Sequence, residues 1–117
     1  MDKEIKNQYK QKKFRKGVFQ IRNISNGKVF IGCGKDLDKN WNSHHFRLKM
    51  GMHEAKELQK DWNELGEDYF VFEVLGELKE KEDVNADYDK DLKELESLFI
   101  EELKPFGDKG YNKERQL

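Results

Sequence analysis

The chain is poor in several things, and each shortage narrows what it can be. It has one cysteine, Cys33, so neither an intrachain disulfide nor a cysteine-built zinc site is open to it. It has one proline, Pro105, so little breaks its elements from within. No run is apolar enough to cross a bilayer, and the polar N-terminus has no apolar signal segment. A cytoplasmic location is the default expectation, with no membrane partner. Net charge is only −1, and no internal repeat is evident. With 117 residues there is enough chain for one small domain and too little for two.

What the chain does have is charge and aromatics. Charged residues are 40% of it, and eight phenylalanines help lift the aromatic share to 12%, which argues against disorder. The charge is unevenly placed. Residues 1–16 hold seven Lys/Arg against two Asp/Glu, residues 17–62 eight against five, and residues 63–117 eight against seventeen. The basic half therefore precedes an acidic half. Lys10, Lys12, Lys13, Arg15 and Lys16 form an arm, or short helix, able to steer a polyanion. Lys35, Lys39 and Arg47 extend the same sign into the next elements.

Residues 17–24 and 28–32 read as two strands. Asn26-Gly27 between them predicts a two-residue hairpin turn, which would set Asn23 opposite Phe30. In that register Phe19 and Phe30 share one face, and Val18, Ile24, Val29 and Ile31 the other. Both faces are apolar, so the sheet should be covered on both sides. Residues 36–49 predict a helix with Leu37, Trp41, His44 and Leu48 on one stripe and Asn40 and Arg47 along its flank. A second helix is expected near 54–65, with Leu58, Trp62 and Leu65 inward and Gly66 as its stop. Residues 69–75 read as a third strand of undetermined direction. The charged stretch 77–90 reads as a solvated connection. A last helix is expected at 90–103, its stripe made of Leu92, Leu95, Phe99 and Leu103, and stopped by Pro105. Glu96 projects within that stripe, where a carboxylate wants a partner or a metal. The fold class expected is α/β (α+β): a small three-stranded, largely antiparallel sheet flanked by helices, in the order β-β-α-α-β-α.

Two short words on the hairpin, Gly17-Val18-Phe19 and Phe30-Ile31-Gly32, resemble the motifs that give the GIY-YIG nuclease family its name. The likeness continues through Leu37-Asp38-Lys39-Asn40-Trp41 and His44, Gly51-Met52-His53, and Leu58-Gln59-Lys60-Asp61-Trp62-Asn63. It goes on through Gly66-Glu67-Asp68, Phe70 to Leu75, Leu95-Glu96 and Gly110-Tyr111-Asn112. It makes residues 17–117 one GIY-YIG-like domain behind the basic arm 1–16.

The resemblance implies endonucleolytic cleavage of DNA with one divalent metal, Mg2+. Two tyrosines line the family's site, an arginine stabilises the phosphate, a helix glutamate binds the metal and an asparagine supports the site. Here Phe19 and Phe30 take the tyrosine places and Asn40 the arginine place. His44 takes the place of a helix histidine, Glu96 that of the metal ligand, and Asn112 the supporting place. The site is expected between sheet and last helix, with both phenylalanines close to Glu96 and Asn112.

These replacements carry a cost. Phenylalanine moves no proton, and general-base catalysis supplies roughly 10²–10⁴-fold. Asparagine carries no charge, and a lost transition-state donor costs roughly 10²–10³-fold. The leading expectation is a nuclease-like domain with impaired catalysis that binds nucleic acid, DNA ahead of RNA. The binding residues expected are Lys10, Lys12, Lys13, Arg15, Lys16, Lys35, Lys39 and Arg47. Mg2+ should be held weakly, since Glu96 is a single carboxylate.

One alternative is an active Mg2+-dependent endonuclease with relocated groups. Arg47 lies two turns, about 10 Å, beyond Asn40, and His44 or His45 would serve as base. Another is a protein-interaction domain. His44 and His45 diverge by about 100° on a helix and do not chelate together. Cys33, Trp41 and Trp62 read as packing residues.

Overall fold

The computed structural model describes residues 14–83 and 86–114. Lys10, Lys12 and Lys13 of the basic arm lie outside them. Strand β1 spans Lys16–Asn23, β2 Val29–Gly34 and β3 Phe70–Leu78. Helix α1 spans Leu37–Lys49, α2 Lys56–Leu65 and α3 Asp89–Leu103. The chain order is β-β-α-α-β-α, as its hydrophobic periods imply. The sheet order is β2-β1-β3, and both pairings are antiparallel. That fixes the direction of β3, which periodicity leaves open. Among the described residues no helix is long and apolar enough to cross a membrane.

The hairpin corrects the expected register. Phe30 faces Ile21, not Asn23. The Asn23 side chain accepts hydrogen bonds from the Ser25 N–H and hydroxyl, and the Gly27 N–H closes onto the Asn23 carbonyl. The turn therefore starts at Ile24, which is exposed, and Asn26-Gly27 forms only its second half. The pairing moves by two residues, and because side chains alternate with period two, each strand keeps its faces. Phe19 and Phe30 still lie on one face.

Two glycines of the hairpin are there for close approach. A Cβ on Gly17 would meet the Gly76 carbonyl oxygen at 2.0 Å, beside the register shift between β1 and β3 at Val18/Phe19. A Cβ on Gly32 would meet the tip of the Phe19 ring at 2.6 Å. The second hairpin word thus makes room for the aromatic of the first.

Each sheet face has its own core. Phe19 and Ile21 pack with Leu37, Leu48, Leu58, Trp62 and Phe70 under α1 and α2. Val18, Val29 and Ile31 pack with Cys33, Leu95, Phe99 and Ile100 under α3. Ile100 takes the inward place expected of Leu103, which is exposed, and Leu65 is exposed as well. β3 runs on through Gly76 to Leu78, so the solvated connection begins later than its charge suggests.

Residues 110–112 close the open edge of β2. Gly110 bridges Val29 in parallel, and the Tyr111 N–H donates to the Val29 carbonyl at 2.9 Å. The Asn112 amide grips Ile31 at both ends: Oδ1 accepts from its N–H at 2.8 Å and Nδ2 donates to its carbonyl at 2.9 Å. Tyr111 donates its hydroxyl to Asp61 at 2.6 Å and accepts from buried Asn23 at 3.1 Å. Burial, and then the Asp61 carboxylate, push the Tyr111 phenol up to about 12. A buried polar chain of this kind ties hairpin, α2 and C-terminal segment together.

Candidate functional site

The two hairpin phenylalanines meet the middle helices, not the last one. The His44 ring on α1 lies 5.3 Å from the Phe19 ring and 5.6 Å from that of Phe30. His53, from the α1–α2 loop, sits edge-on to Phe30 at 5.4 Å. Nδ1 of His44 and Nε2 of His53 are 2.8 Å apart. Arg47 turns back to this pair, its Nη2 at 3.2 Å from Nδ1 of His44, and its Nη1 is ion-paired with Glu54. A compact polar group therefore lies against the two aromatic rings.

The loop holding His53 is built firmly. His53 is fully buried, and its N–H donates to Oε1 of Gln59 at 3.0 Å. Nε2 of Gln59 in turn donates to the Leu48 carbonyl and to Asn63. The Ala55 N–H donates to Nδ1 of His53 at 3.0 Å. Sequence reading places His53 and Gln59 in family-like words but gives neither a role. Their signal was available: His53 is one of only three histidines.

Burial, and then the nearby Arg47 and His53, push His44 down to about 4. Burial lowers His53 as well, helped by Arg47 and opposed by Glu54. Partial burial pushes Glu54 up, but its own backbone N–H and the neighbouring His53 and Arg47 outweigh it, and the net shift is downward. Both imidazoles are thus neutral at pH 7. One donor atom from each of His44, His53 and Glu54 falls within 4.8 Å of the others, a spacing that can hold a metal ion. Two imidazoles and one carboxylate suit a borderline metal such as zinc better than magnesium.

Asn40 folds back onto β2, where its side chain fills the space a Cβ on Gly34 would take. Its Oδ1 is buried without a hydrogen-bond partner, alone in this among the described side chains. His45 diverges from His44 as helical spacing requires: it stacks on Trp41 at 5.1 Å and bonds Glu67 at 2.9 Å.

Glu96 departs from the expected site. α3 packs on the face opposite Phe19 and Phe30, so Glu96 stands beside Cys33 and not beside the rings. Burial, and then the Glu96 carboxylate, push the Cys33 thiol up to about 11. Lys93 lies 3.8 Å from Glu96. Phe30 and Asn112 line one cavity and Glu96 another, with Lys113 at the rim of both. Lys113 thus borders both sides at the strand edge, and the structure places Glu96 on the sheet face opposite the aromatic pair.

The described basic residues are mostly paired. Lys16 is buried, bonded to Glu80 and lying 4.8 Å over the Tyr88 ring, so it is a structural cation. Arg15 pairs with Glu77 and Lys35 with Asp89. Lys39 is exposed on α1.

Comparison with known proteins agrees with this fold. The GIY-YIG catalytic domain family matches residues 15–112. The chain belongs to the GIY-YIG family. It is 36% identical over 90 residues to intron-associated endonuclease 1 of Enterobacteria phage T4, which spans 76% of this chain and 33% of that protein. The chain therefore covers about a third of that relative's length. Two solved structures of the catalytic domain of I-TevI, described as an intron or homing endonuclease, superpose with a TM-score of 0.70. One, a mutant, is 33% identical and covers 85% of this chain and 93% of its own. The other is 32% identical, with coverage of 83% and 96%. The GIY-YIG match over residues 15–112 takes in both hairpin words, the α1 histidine and the Gly110-Tyr111-Asn112 edge clamp.

Proposed function

We propose that this chain is a nucleic-acid-directed GIY-YIG module, in the cytoplasm, whose cleavage by the family's usual route is impaired. The observation that carries the reading is the chemistry at three places. Phe19 presses an apolar ring onto Gly32, Phe30 offers no hydroxyl to its cavity, and Asn40 turns a neutral amide into Gly34. None of the three can take a proton from water or set a positive charge on a phosphate. Nucleic acid as the ligand is supported by the family and by the T4 relative, an endonuclease by name; that it is DNA ahead of RNA is part of the proposal. The basic arm of residues 1–16, apart from the structural Lys16, would supply the phosphate contacts with Lys39, ahead of a single domain over residues 17–117; Arg15, Lys35 and Arg47 would join by leaving Glu77, Asp89 and Glu54.

Magnesium remains part of the reading through Glu96. A mostly buried carboxylate lining a cavity fits such an ion, but one carboxylate is a weak holder without substrate phosphate. When bound, Mg2+ would polarise the phosphoryl oxygen. This chain's own residues would do the rest: Glu96 would bind, Asn112 would hold β2 in place, and Lys113 would draw phosphate to the strand edge.

One observation favours a second reading, an endonuclease with relocated groups. Arg47 reaches back to His44 beside both phenylalanines, bringing a cation to the aromatic face. The distinguishing experiment is cleavage of plasmid DNA under magnesium or manganese, run beside binding to short duplexes over a range of salt. The first reading expects binding that weakens steeply with salt, as counterions are released, and negligible cleavage. Deleting residues 1–13, which spares β1 and the Arg15 carbonyl that accepts from Leu37, should weaken binding and flatten its salt dependence. Unchanged affinity would take the arm out of the account.

A further inference from the structure

The pair His44–His53 admits one self-consistent placement of protons. Ala55 donates its N–H to Nδ1 of His53, so that nitrogen carries a lone pair and the proton of neutral His53 is on Nε2. Nε2–H then faces Nδ1 of His44 at 2.8 Å, which makes Nδ1 the acceptor. Arg47, which can only donate, reaches the same Nδ1 at 3.2 Å. The proton of neutral His44 is left on Nε2. Among the described residues Nε2 of His44 has no partner, and it is not a buried unpartnered atom, a condition met by Asn40 Oδ1 alone. The one N–H of this ring without a partner among the described residues therefore lies on a mostly buried ring, 8% exposed, flanked by Phe19 and by Phe30, which lines a cavity.

We propose that His44 is a locked, neutral Nε2–H donor to a phosphate oxygen of bound nucleic acid, and that His53 is the positioning residue that locks it. The inference rests on the nucleic-acid reading above. It assigns His44 a role opposite to the general base of the relocated-site alternative. The lone pair a base needs is on Nδ1, already taken by two donors. Burial and Arg47 also keep the ring from charging. The same arrangement works against a metal at His44, His53 and Glu54. Such an ion would have to displace Arg47. Bound through Nε2 of His53 it would move that ring's proton onto Nδ1, against the Ala55 N–H, and bound through Nδ1 it would displace that N–H.

The test is long-range proton–nitrogen NMR correlation on the 15N-labelled full chain, with a short DNA duplex titrated in. Both histidines should appear as Nε2–H tautomers at pH 7, and the duplex should shift the Nε2–H signal of His44 without changing its tautomer. His53→Phe removes the nearer of the two donors and leaves only Arg47 at 3.2 Å, so a fraction of the Nδ1–H form of His44 should appear and duplex affinity fall about three- to tenfold. His53→Gln, whose amide N–H can reach Nδ1, should restore both. A purely structural role for His53 would instead leave the His44 tautomer unmoved in either variant. If His53→Phe does not fold, the wild-type spectrum and titration still decide. An Nδ1–H tautomer for His44 in the wild type would overturn the lock. Duplex binding that leaves Nε2 unshifted would overturn the phosphate contact while sparing the nucleic-acid reading. No duplex binding would remove that reading and the phosphate contact together, and the free-protein spectrum would still judge the His53 lock.

Discussion

At the scale of the residue, the site is defined by which polar atoms are used. His44 is held well below its usual pKa by burial and then Arg47, and His53 is lowered too. A histidine whose folded pKa is depressed binds its proton more readily in the unfolded chain. Its contribution to stability is complete above about pH 6.5 and is lost as pH falls from there towards 4. We expect denaturation midpoints to drop between pH 6.5 and 5, above the range where carboxylates protonate. His44→Gln should flatten that drop, and a midpoint that holds level to pH 5 in the wild type would contradict the assignment. The two phenylalanines differ in a second testable way. Phe19 is fully buried with its tip against Gly32, whereas Phe30 is half-buried at a cavity. A hydroxyl added to Phe19 lacks water and a ready partner, which costs about 1–3 kcal/mol. Phe19→Tyr should therefore destabilise clearly more than Phe30→Tyr in equilibrium unfolding. Equal effects would show that the Phe19 ring tip is not enclosed.

At the scale of the element, β2 is the piece that matters most. It is an edge strand with aromatic Phe30 on one face and Cys33, beside Glu96, on the other. Asn112 satisfies the Ile31 backbone on its open side. Asn112→Ala removes both bonds and should cost about 1–3 kcal/mol, with faster amide exchange at Ile31. Protection at Ile31 equal to that of the wild type would show that another group covers the edge. Much of this level was legible in the chain. The alternation in residues 17–22 and the helical stripes gave the elements, and parity gave the shared face of Phe19 and Phe30. The exact register was not legible, because it depends on the Asn23 side chain capping its own turn, which the strong Asn26-Gly27 signal masks. Nor was the sidedness of Glu96. A helical wheel says that a residue points inward, not which face of the sheet its helix covers. The Arg47–His44–His53 group was hidden for a similar reason, since His53 reaches α1 from a loop whose path is set by Gln59.

At the scale of the whole molecule, two cores share one thin sheet, and the family's site has to be assembled around its edge. In the proposed reading, that placement would let a GIY-YIG scaffold keep its fold while the chemistry changes. The aromatic face can lose its hydroxyls and remain well packed, with Glu96 retained on the far side. The central claim is that the scaffold is sound and the usual catalytic groups are missing. The most direct measurement is plasmid cleavage under Mg2+ by three purified proteins: the wild type, Phe19→Tyr/Phe30→Tyr/Asn40→Arg, and the triple variant with Glu96→Gln. Groups that act as a unit should be restored as a unit. The account predicts negligible cleavage by the wild type, measurable cleavage by the triple variant, and its loss on Glu96→Gln. Robust Mg2+-dependent cleavage by the wild type, abolished when Glu96→Gln is introduced alone, would contradict it.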